Sequence, residues 1–173
     1  GNGDCRTDNG YTCARASVGT GCWGDNEFGQ LGNGTAGGVA GAALVLFKNG
    51  FQEVVAGHAH TCGRTIPGTV HCWGDNRALQ VGVVEIKPAV TEPIMVPTQL
   101  RASRLALGMQ HSCLVSSDET VACWGNNKGF AQLGRPVNGP GKLDGSVLPL
   151  AIDVPVEVLA VVAGTTHSCA LDS

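Results

Sequence analysis

The eight cysteines are the residues whose type and spacing point most directly to chemistry. None of their spacings is the C-x-x-C of a zinc ribbon or redox site. An even count with regular local spacing favours disulfides, which persist in an oxidising compartment. Six cysteines form three local pairs whose members are 9, 10 and 10 residues apart: Cys13 with Cys22, Cys62 with Cys72, and Cys113 with Cys123.

Each local cysteine pair brackets a segment that predicts a β-hairpin. β-branched and aromatic residues flank Pro67-Gly68 in the second pair, and the third pair turns at 117–119. If the turns centre on positions 67 and 118, the two cysteines of each pair lie directly opposite each other. Opposed residues in an antiparallel pair have Cα atoms about 4.5–5.5 Å apart, a separation that a disulfide accepts. We therefore expect three disulfide-stapled hairpins.

Histidines beside the cysteines raise the alternatives of metal binding and catalysis. His60, His111 and His167 each stand two residues before a cysteine. A zinc site needs three or four converging ligands, whereas each segment offers one isolated cysteine pair. The nearby Ser112 and Ser168 lie in predicted strands, and no orienting acid accompanies them. We therefore expect buried histidines that tie a strand to a loop by hydrogen bonds, no metal or cofactor, and no enzymatic activity.

The paired segments belong to an internal repeat of about 50 residues. The step Cys-Trp-Gly begins at positions 22, 72 and 123, and VVAG followed by His-x-Cys recurs near the end of the chain. This period suits a propeller blade of four short strands and is too long for a helical hairpin. We predict an all-β fold: one propeller segment of about three and a half antiparallel four-stranded blades. The repeat units are expected at 6–53, 54–104, 105–160 and, in part, 161–173.

The tryptophans and the linking stretches have structural interpretations in this scheme. Trp23, Trp73 and Trp124 occupy the same repeat position, which indicates packing between blades rather than an aromatic binding cage. The stretches that link the units differ in length and composition, and we expect them to be loops that carry the binding surface. They are 35–53, 83–104 and 135–156.

Composition excludes several classes of protein. The 173 residues hold 11 Lys+Arg against 14 Asp+Glu, so the chain lacks the basic surplus of a nucleic-acid binder. The 43% hydrophobic content argues against intrinsic disorder. The uncharged stretch 28–47 contains six glycines, and we therefore expect no membrane span there. The opening GNGDC shows no signal-peptide pattern, so we expect a mature product or a fragment.

The motifs together resemble the regulator-of-chromosome-condensation repeat, in which A-G-x-x-H-[ST] precedes W-G-x-N-x-x-G-Q-L-G. Two departures stand out: Tyr11 takes the place of the repeated histidine, and Leu79 replaces the glycine before Gln80. The matching residues are Trp23, Gly24, Asn26 and 29–32 in the first unit; Gly57, His60, Thr61, Gly68, Val70, Trp73, Gly74, Asn76, Gln80 and Gly82 in the second; and Gly108, His111, Ser112, Val121, Trp124, Gly125, Asn127 and 132–134 in the third.

This resemblance implies a seven-bladed β-propeller, of which the chain would form about half. The family's founding activity is nucleotide exchange on a nuclear GTPase, while other members are secreted, including a propeller that inhibits β-lactamase. The acidic composition and the paired cysteines are closer to the extracellular branch. We expect a non-enzymatic scaffold, secreted or on an extracellular surface, for protein–protein interaction or structural assembly. The alternatives are a guanine-nucleotide exchange factor for a small GTPase and an inhibitor of a secreted enzyme.

Two cysteines and one asparagine have no place in the hairpin scheme. Cys5 and Cys169 lack hairpin partners, and three alternatives are open: their partners lie in a longer chain, they pair between chains, or they pair within one chain. Pairing between chains would let copies of this protein complete a ring or a filament. Asn33-Gly34-Thr35 is a glycosylation sequon, which makes Asn33 a candidate modification site.

Overall fold

The computed structural model describes residues 10–16, 19–84, 87–136, 145–154 and 157–172 as an all-β structure, and the expected fold class is confirmed. The strands of these described residues are β1 (Tyr11–Ala16), β2 (Gly19–Asp25), β3 (Val39–Leu44), β4 (Glu53–Ala56), β5 (His60–Arg64), β6 (Val70–Asp75), β7 (Ala89–Met95), β8 (Ala102–Leu107), β9 (His111–Ser116), β10 (Val121–Asn126), β11 (Gly145–Ile152), β12 (Val158–Ala163) and β13 (Ser168–Asp172).

The strands form four antiparallel sheets that follow one another along the chain. Within the described residues, sheet one contains β1 to β3, sheet two β4 to β7, sheet three β8 to β11, and sheet four β12 and β13, with neighbours in the chain paired side by side. The first strands of successive sheets touch, because β4 contacts β1 and β8, and β8 contacts β12. Meandering sheets that pack side by side in this way have the arrangement of propeller blades.

The cysteine hairpins have the predicted register. Cys62 lies directly opposite Cys72, as a turn centred on position 67 requires. The Cα atoms of this pair are 4.1 Å apart, and a disulfide joins the two residues. The same 4.1 Å separation and a disulfide are found in the other two hairpins, at Cys13–Cys22 and Cys113–Cys123.

The linking stretches contain strands, so the expectation that they are loops was wrong. The outermost strand of each of the first three sheets lies in one of them: β3 in 35–53, β7 in 83–104 and β11 in 135–156. Pro93 and Pro149 lie in two of these strands. An edge strand tolerates proline and glycine, because the missing or weakened ladder bond can face away from the sheet. Composition alone therefore hid these strands.

Gly74 allows β6 to approach the preceding turn closely. The register of β6 against β7 shifts between Cys72 and Gly74, and Gly74 has a φ of +101°. A Cβ at this position would lie 2.6 Å from the carbonyl oxygen of Ala59. That carbonyl accepts a hydrogen bond from the Asp75 N–H at 2.8 Å, so the close approach is part of the strand pairing. Only glycine combines this φ with this approach.

The hydrophobic core lies between neighbouring sheets. Trp73 of sheet two is fully buried against sheet one, where it shares a cluster with Leu31 and Phe51. Trp124 of sheet three is fully buried in a second cluster against sheet two. A third cluster joins sheets three and four around Leu133. Each sheet therefore depends on its neighbour for burial, as expected of repeats that stack in one direction.

Candidate functional site: the seams between sheets

The side chains that recur in the repeat meet where neighbouring sheets touch, and we call these contacts the seams. The first seam lies between sheets one and two, the second between sheets two and three, and the third between sheets three and four. One side of each seam is the turn that follows β2, β6 or β10. The other side is formed by the first strands of the next sheet.

Polar side chains hold each of these turns in one shape. In the first turn, Asn26 Oδ1 accepts a hydrogen bond from the Leu31 N–H at 3.1 Å. The Gln30 side chain accepts from the Phe28 N–H at 2.9 Å and donates to Asp25 at 2.5 Å. Asn76 and Asn127 repeat the role of Asn26, accepting from the N–H groups of Val81 at 3.1 Å and Leu133 at 3.0 Å. In each unit this turn shape directs the main-chain carbonyl of the glutamine toward the next sheet.

That carbonyl accepts hydrogen bonds from the next sheet at every seam. Gln30 O accepts from Thr61 Oγ1 at 2.8 Å and from the indole Nε1 of Trp73 at 2.9 Å. In the second seam, Ser112 Oγ donates to Gln80 O at 2.8 Å. Ser168 Oγ donates to Gln132 O in the third seam, at 3.1 Å. A hydroxyl at one repeat position therefore satisfies a carbonyl of the preceding sheet.

The two tryptophan indoles differ in their hydrogen bonding. Trp124 lies beside Gly82 as Trp73 lies beside Gly32, because a Cβ on either glycine would come within 3 Å of the indole Nε1. The Nε1 of Trp124 nevertheless has no hydrogen-bond partner in the described part of the chain. Trp23, the third member of the set, is 40% exposed. Packing between sheets thus describes Trp73 and Trp124, while Trp23 reaches solvent.

The repeated histidines extend the seams by one further hydrogen bond. His60 Nε2 is 2.9 Å from Ser112 Oγ, and His111 Nε2 is 2.9 Å from Ser168 Oγ. Because each serine donates its proton to a carbonyl, the histidine must donate from Nε2–H, which assigns the tautomer from the network. We expected each histidine to tie a strand to a loop directly. In the structure a serine of the next sheet lies between the histidine and the loop carbonyl, and it hydrogen-bonds to both. His167 is exposed.

Tyr11 reaches the same point as the histidines with a different group. Its hydroxyl donates to the main-chain carbonyl of His60 at 2.5 Å. Its oxygen also lies 2.9 Å from Thr61 Oγ1, whose one proton is shared between Tyr11 and Gln30 O. The departure from the repeat pattern at this position therefore preserves a polar contact across the first seam. Burial raises the pKa of Tyr11 well above its usual value, so the phenol is neutral.

Burial also keeps the seam histidines neutral. The imidazole of His60 is fully enclosed, and this desolvation lowers its pKa to about 3. Burial likewise lowers the pKa of His111, with a further contribution from the neighbouring His167. A charged imidazole there would lose its hydration without gaining a carboxylate partner at hydrogen-bond distance. The seams are therefore neutral polar networks at physiological pH.

An aromatic cluster that sequence reasoning missed extends the first seam toward the outer edge. Phe47 and Phe51 stack with ring centroids 4.2 Å apart, and Phe51 stacks on Trp73 at 5.5 Å. Phe47 also contacts His71 at 4.6 Å. Both phenylalanines lie in the stretch 35–53, outside the repeat motifs, so no repeated position signalled them.

The third seam contains an open groove, which we call the sheet-four groove. It encloses about 240 Å³ and is lined by residues that include Gln132, Gly134, Ile152 and Cys169. At Gly32 and Gly82 the nearest atoms to an added Cβ belong to a tryptophan indole, whereas at Gly134 they belong to Ile152. In the first two seams an indole fills the space beside this glycine. In the third seam the space beside Gly134 is part of the groove.

The remaining candidate residues make none of the hydrogen bonds that cross the seams. Cys169 is exposed and has no disulfide partner among the described residues. Cys5 lies outside those residues, so its pairing with Cys169 stays a prediction. Asn33 lies in the turn after Gly32. In the described ranges, no group of three or more His, Cys, Asp or Glu is placed to hold a metal ion, and no helix is long and apolar enough to cross a membrane.

Comparison with known proteins agrees with the repeat. Residues 51–80 match the family described as the regulator of chromosome condensation (RCC1) repeat. The chain resembles the RCC1-repeat proteins. It is 24% identical over 124 residues to the ultraviolet-B receptor UVR8 of Arabidopsis thaliana. That alignment covers 70% of this chain and 28% of the receptor. It is 28% identical over 180 residues to protein RCC2 of Mus musculus, covering 87% of this chain and 34% of that protein.

Solved structures show the same RCC1-type propeller fold. Yeast RCC1 (Prp20), in a crystal structure with Kap60 bound to it, superposes with a TM-score of 0.80 and 22% identity, covering 94% of this chain and 39% of that one. The CRINKLY WD40 ectodomain of the Arabidopsis thaliana receptor kinase ACR4 superposes with a TM-score of 0.54 and 18% identity, covering 94% and 42%. The chain thus spans about a third of the length of these relatives, and its sheets are propeller blades.

The different hydrogen bonding of the two buried indoles predicts unequal costs of substitution. Phenylalanine at position 73 or 124 keeps an aromatic ring and leaves a similar space, but only Trp73→Phe removes a hydrogen bond, the one to Gln30 O. A hydrogen bond contributes about 0.5–1.5 kcal/mol net. We expect Trp73→Phe to lower the free energy of unfolding by about 1 kcal/mol more than Trp124→Phe, measured by urea denaturation. An equal or larger loss in Trp124→Phe would contradict this assignment.

The enclosed His60 predicts that stability falls in acid. Its pKa is about 3 in the folded state and about 6.5 in an unfolded chain, so the unfolded chain binds a proton first as the pH falls below 6.5. The free energy of unfolding should therefore fall by about 1.4 kcal/mol per pH unit from this residue between pH 6 and 4. Urea denaturation at pH 7 and 4.5 should show a loss about 2 kcal/mol smaller in His60→Gln. The exposed, non-titrating Asn49→Gln control should retain the full loss, and equal losses in all three proteins would refute the prediction.

Proposed function

We propose that the chain is a non-enzymatic protein-interaction module that works outside the cell. The His–Ser pairs of the seams are the side chains most similar to a base and a nucleophile, and their surroundings argue against catalysis. His60 and Ser112 are fully buried, and the serine proton is donated to Gln80 O. Neither group has access to a substrate. The residues of the seams instead hold the sheets rigidly together, which suits a binding scaffold.

The register of the cysteine hairpins is the observation that carries the extracellular location. Three cysteine pairs lie directly opposite each other and form disulfides, although two of the three hairpins are already fixed by buried cores on both sides. Disulfides of this kind persist in secreted and surface proteins and are rare in the cytosol. The similarity to the ACR4 ectodomain supports the same location.

The state of the cysteines in the native protein tests this location. We expect at least the six hairpin cysteines to resist alkylation in unfolded, non-reduced protein from its natural source, and mass mapping to place them in the three local pairs. Six freely alkylated thiols would refute the extracellular location. That outcome would favour the second candidate, nucleotide exchange on a small GTPase, which the similarity to yeast RCC1 supports.

We propose that the sheet-four groove is a surface that binds a further copy of the repeat, carried by this protein or by another one. An indole lies beside the corresponding glycine in the first two seams, whereas Ile152 is the residue nearest Gly134. Cys169 lies along the same groove and corresponds to Cys62 and Cys113, each of which is bonded to the cysteine before a tryptophan. The chemistry that fits is therefore a β-strand with Cys followed by Trp, presented by another copy of the repeat.

Capture of a peptide tests this partner surface. The probe is Val-Ala-Cys-Trp-Gly-Asn, the sequence of residues 121–126, with its cysteine joined to glutathione. The Cys169 thiolate attacks the peptide sulfur, a new disulfide forms, and glutathione leaves as the thiolate. We expect the full chain to gain the peptide at Cys169, as shown by peptide mass mapping. Because burial of a large aromatic side chain contributes about 1.5–3 kcal/mol, capture should be about tenfold faster than for a peptide with Ala in place of Trp.

Two controls decide the peptide experiment. Cys169→Ser should abolish capture at this site while leaving the other cysteines unchanged. Equal capture rates for the Trp and Ala peptides would show that Cys169 is merely an exposed thiol, and would refute the groove as a partner surface. A failure to capture either peptide would refute it as well.

A further inference from the structure

The loop at 33–38 carries a feature that the seams do not use. It follows Gly32 at the end of the first turn and leads into β3. Asn33 is half-buried, and the residues from 34 to 38 are exposed. The corresponding residues after Gly82 and Gly134 are Val83 and Arg135, so the repeat itself does not require an asparagine here. The local structure around Asn33 is therefore specific to sheet one.

Hydrogen bonds hold the sequon Asn33-Gly34-Thr35 in a compact turn. Asn33 Oδ1 accepts from the Thr35 N–H at 3.2 Å and from Thr35 Oγ1 at 2.8 Å. This is an Asx turn closed by the threonine hydroxyl. The buried Asn26 supports it from below, because its Nδ2 donates to the main-chain carbonyl and to the hydroxyl of Thr35, each at 3.1 Å.

The same hydrogen bonds orient the carboxamide of Asn33. Its oxygen accepts the bonds within the turn, which assigns the other terminal atom as Nδ2. This Nδ2 makes no hydrogen bond within the described residues and is not among their enclosed unpaired polar atoms. The turn therefore engages the amide oxygen and leaves the amide nitrogen available at the surface.

We propose that Asn33 is an acceptor for N-linked glycosylation, with Thr35 as the hydroxyl residue of the sequon. This inference rests on the proposed extracellular location, because the sugar is transferred during export. The co-substrate is a lipid-linked oligosaccharide diphosphate. Asn33 Nδ2 forms a bond to the first sugar carbon, the bond from that carbon to the diphosphate oxygen breaks, and the lipid diphosphate leaves. The proton lost from Nδ2 passes to a base of the transferase.

The folded structure accommodates a glycan at this place. The main chain of the loop is held by hydrogen bonds from Gly34 N to Thr91 O at 3.0 Å and from Leu46 N to Gly32 O at 2.9 Å. Neither bond involves the Asn33 side chain. Leu46 is 54% exposed and lies beside Gly34, so a glycan would cover apolar surface near the first seam.

Export of the full chain from a eukaryotic cell line, behind a cleavable leader, tests the acceptor. Intact mass is measured in the cell-associated and the secreted protein, before and after treatment with peptide-N-glycanase. We expect one oligosaccharide, whose release converts Asn33 to Asp in the peptide map. Asn33→Gln and Thr35→Ala should abolish the modification, while Thr35→Ser should retain it. Asn49→Gln, an exposed asparagine outside a sequon, is the matched control and should leave the glycan in place.

The outcomes separate this inference from the proposed function. A chain with its three hairpin disulfides but no glycan in either fraction would overturn the acceptor and leave the extracellular location intact. Loss of the glycan in both Thr35→Ala and Thr35→Ser would overturn the role of the hydroxyl. A glycosylated chain whose hairpin cysteines are all free thiols would support the acceptor and contradict the oxidised, extracellular protein.

Discussion

The rest of the structure depends on one hydrogen-bond acceptor, the main-chain carbonyl of the glutamine in the turn that follows each Trp-Gly strand. Gln30, Gln80 and Gln132 each present this carbonyl to the next sheet, and a threonine or serine hydroxyl donates to it. A buried carbonyl without a donor would cost about 1–3 kcal/mol, so each sheet needs its successor. The turn residues, the hydroxyl, and the histidine or tyrosine behind it are all arranged around this one acceptor.

The same constraint supports the proposal that the polar side chains of the seams are structural rather than catalytic. Their hydroxyls donate to main-chain carbonyls within the protein, and burial keeps the imidazoles of His60 and His111 neutral. An enclosed polar network of this kind holds neighbouring sheets together, whereas a catalytic site needs groups that face a substrate. Function in such a fold therefore belongs to the surface that the seams hold in place.

Much of the fold was visible in the sequence because the repeat encodes it three times. The register of Cys62 against Cys72 followed from hairpin length alone, since opposed residues in a hairpin are equidistant from its turn. The shared repeat position of the tryptophans predicted packing between sheets, which holds for Trp73 and Trp124 but not for Trp23. The outer strands were not visible, because their proline and glycine content is that of loops. Phe47 and Phe51 were missed because they have no counterpart in the other units.

The sequence by itself determined the strands that carry motifs, the cysteine pairing and the period, since these depend on spacing along the chain. Only the tertiary structure decided which groups meet across the seams. Ser112 and Gln80 are 32 positions apart, and their contact depends on how one sheet packs beside the next. The same packing buries Trp73 against sheet one, whereas Trp23, at the same repeat position, is 40% exposed because no described sheet lies against it. Identical local sequence reached different environments because burial is set by the neighbouring sheet.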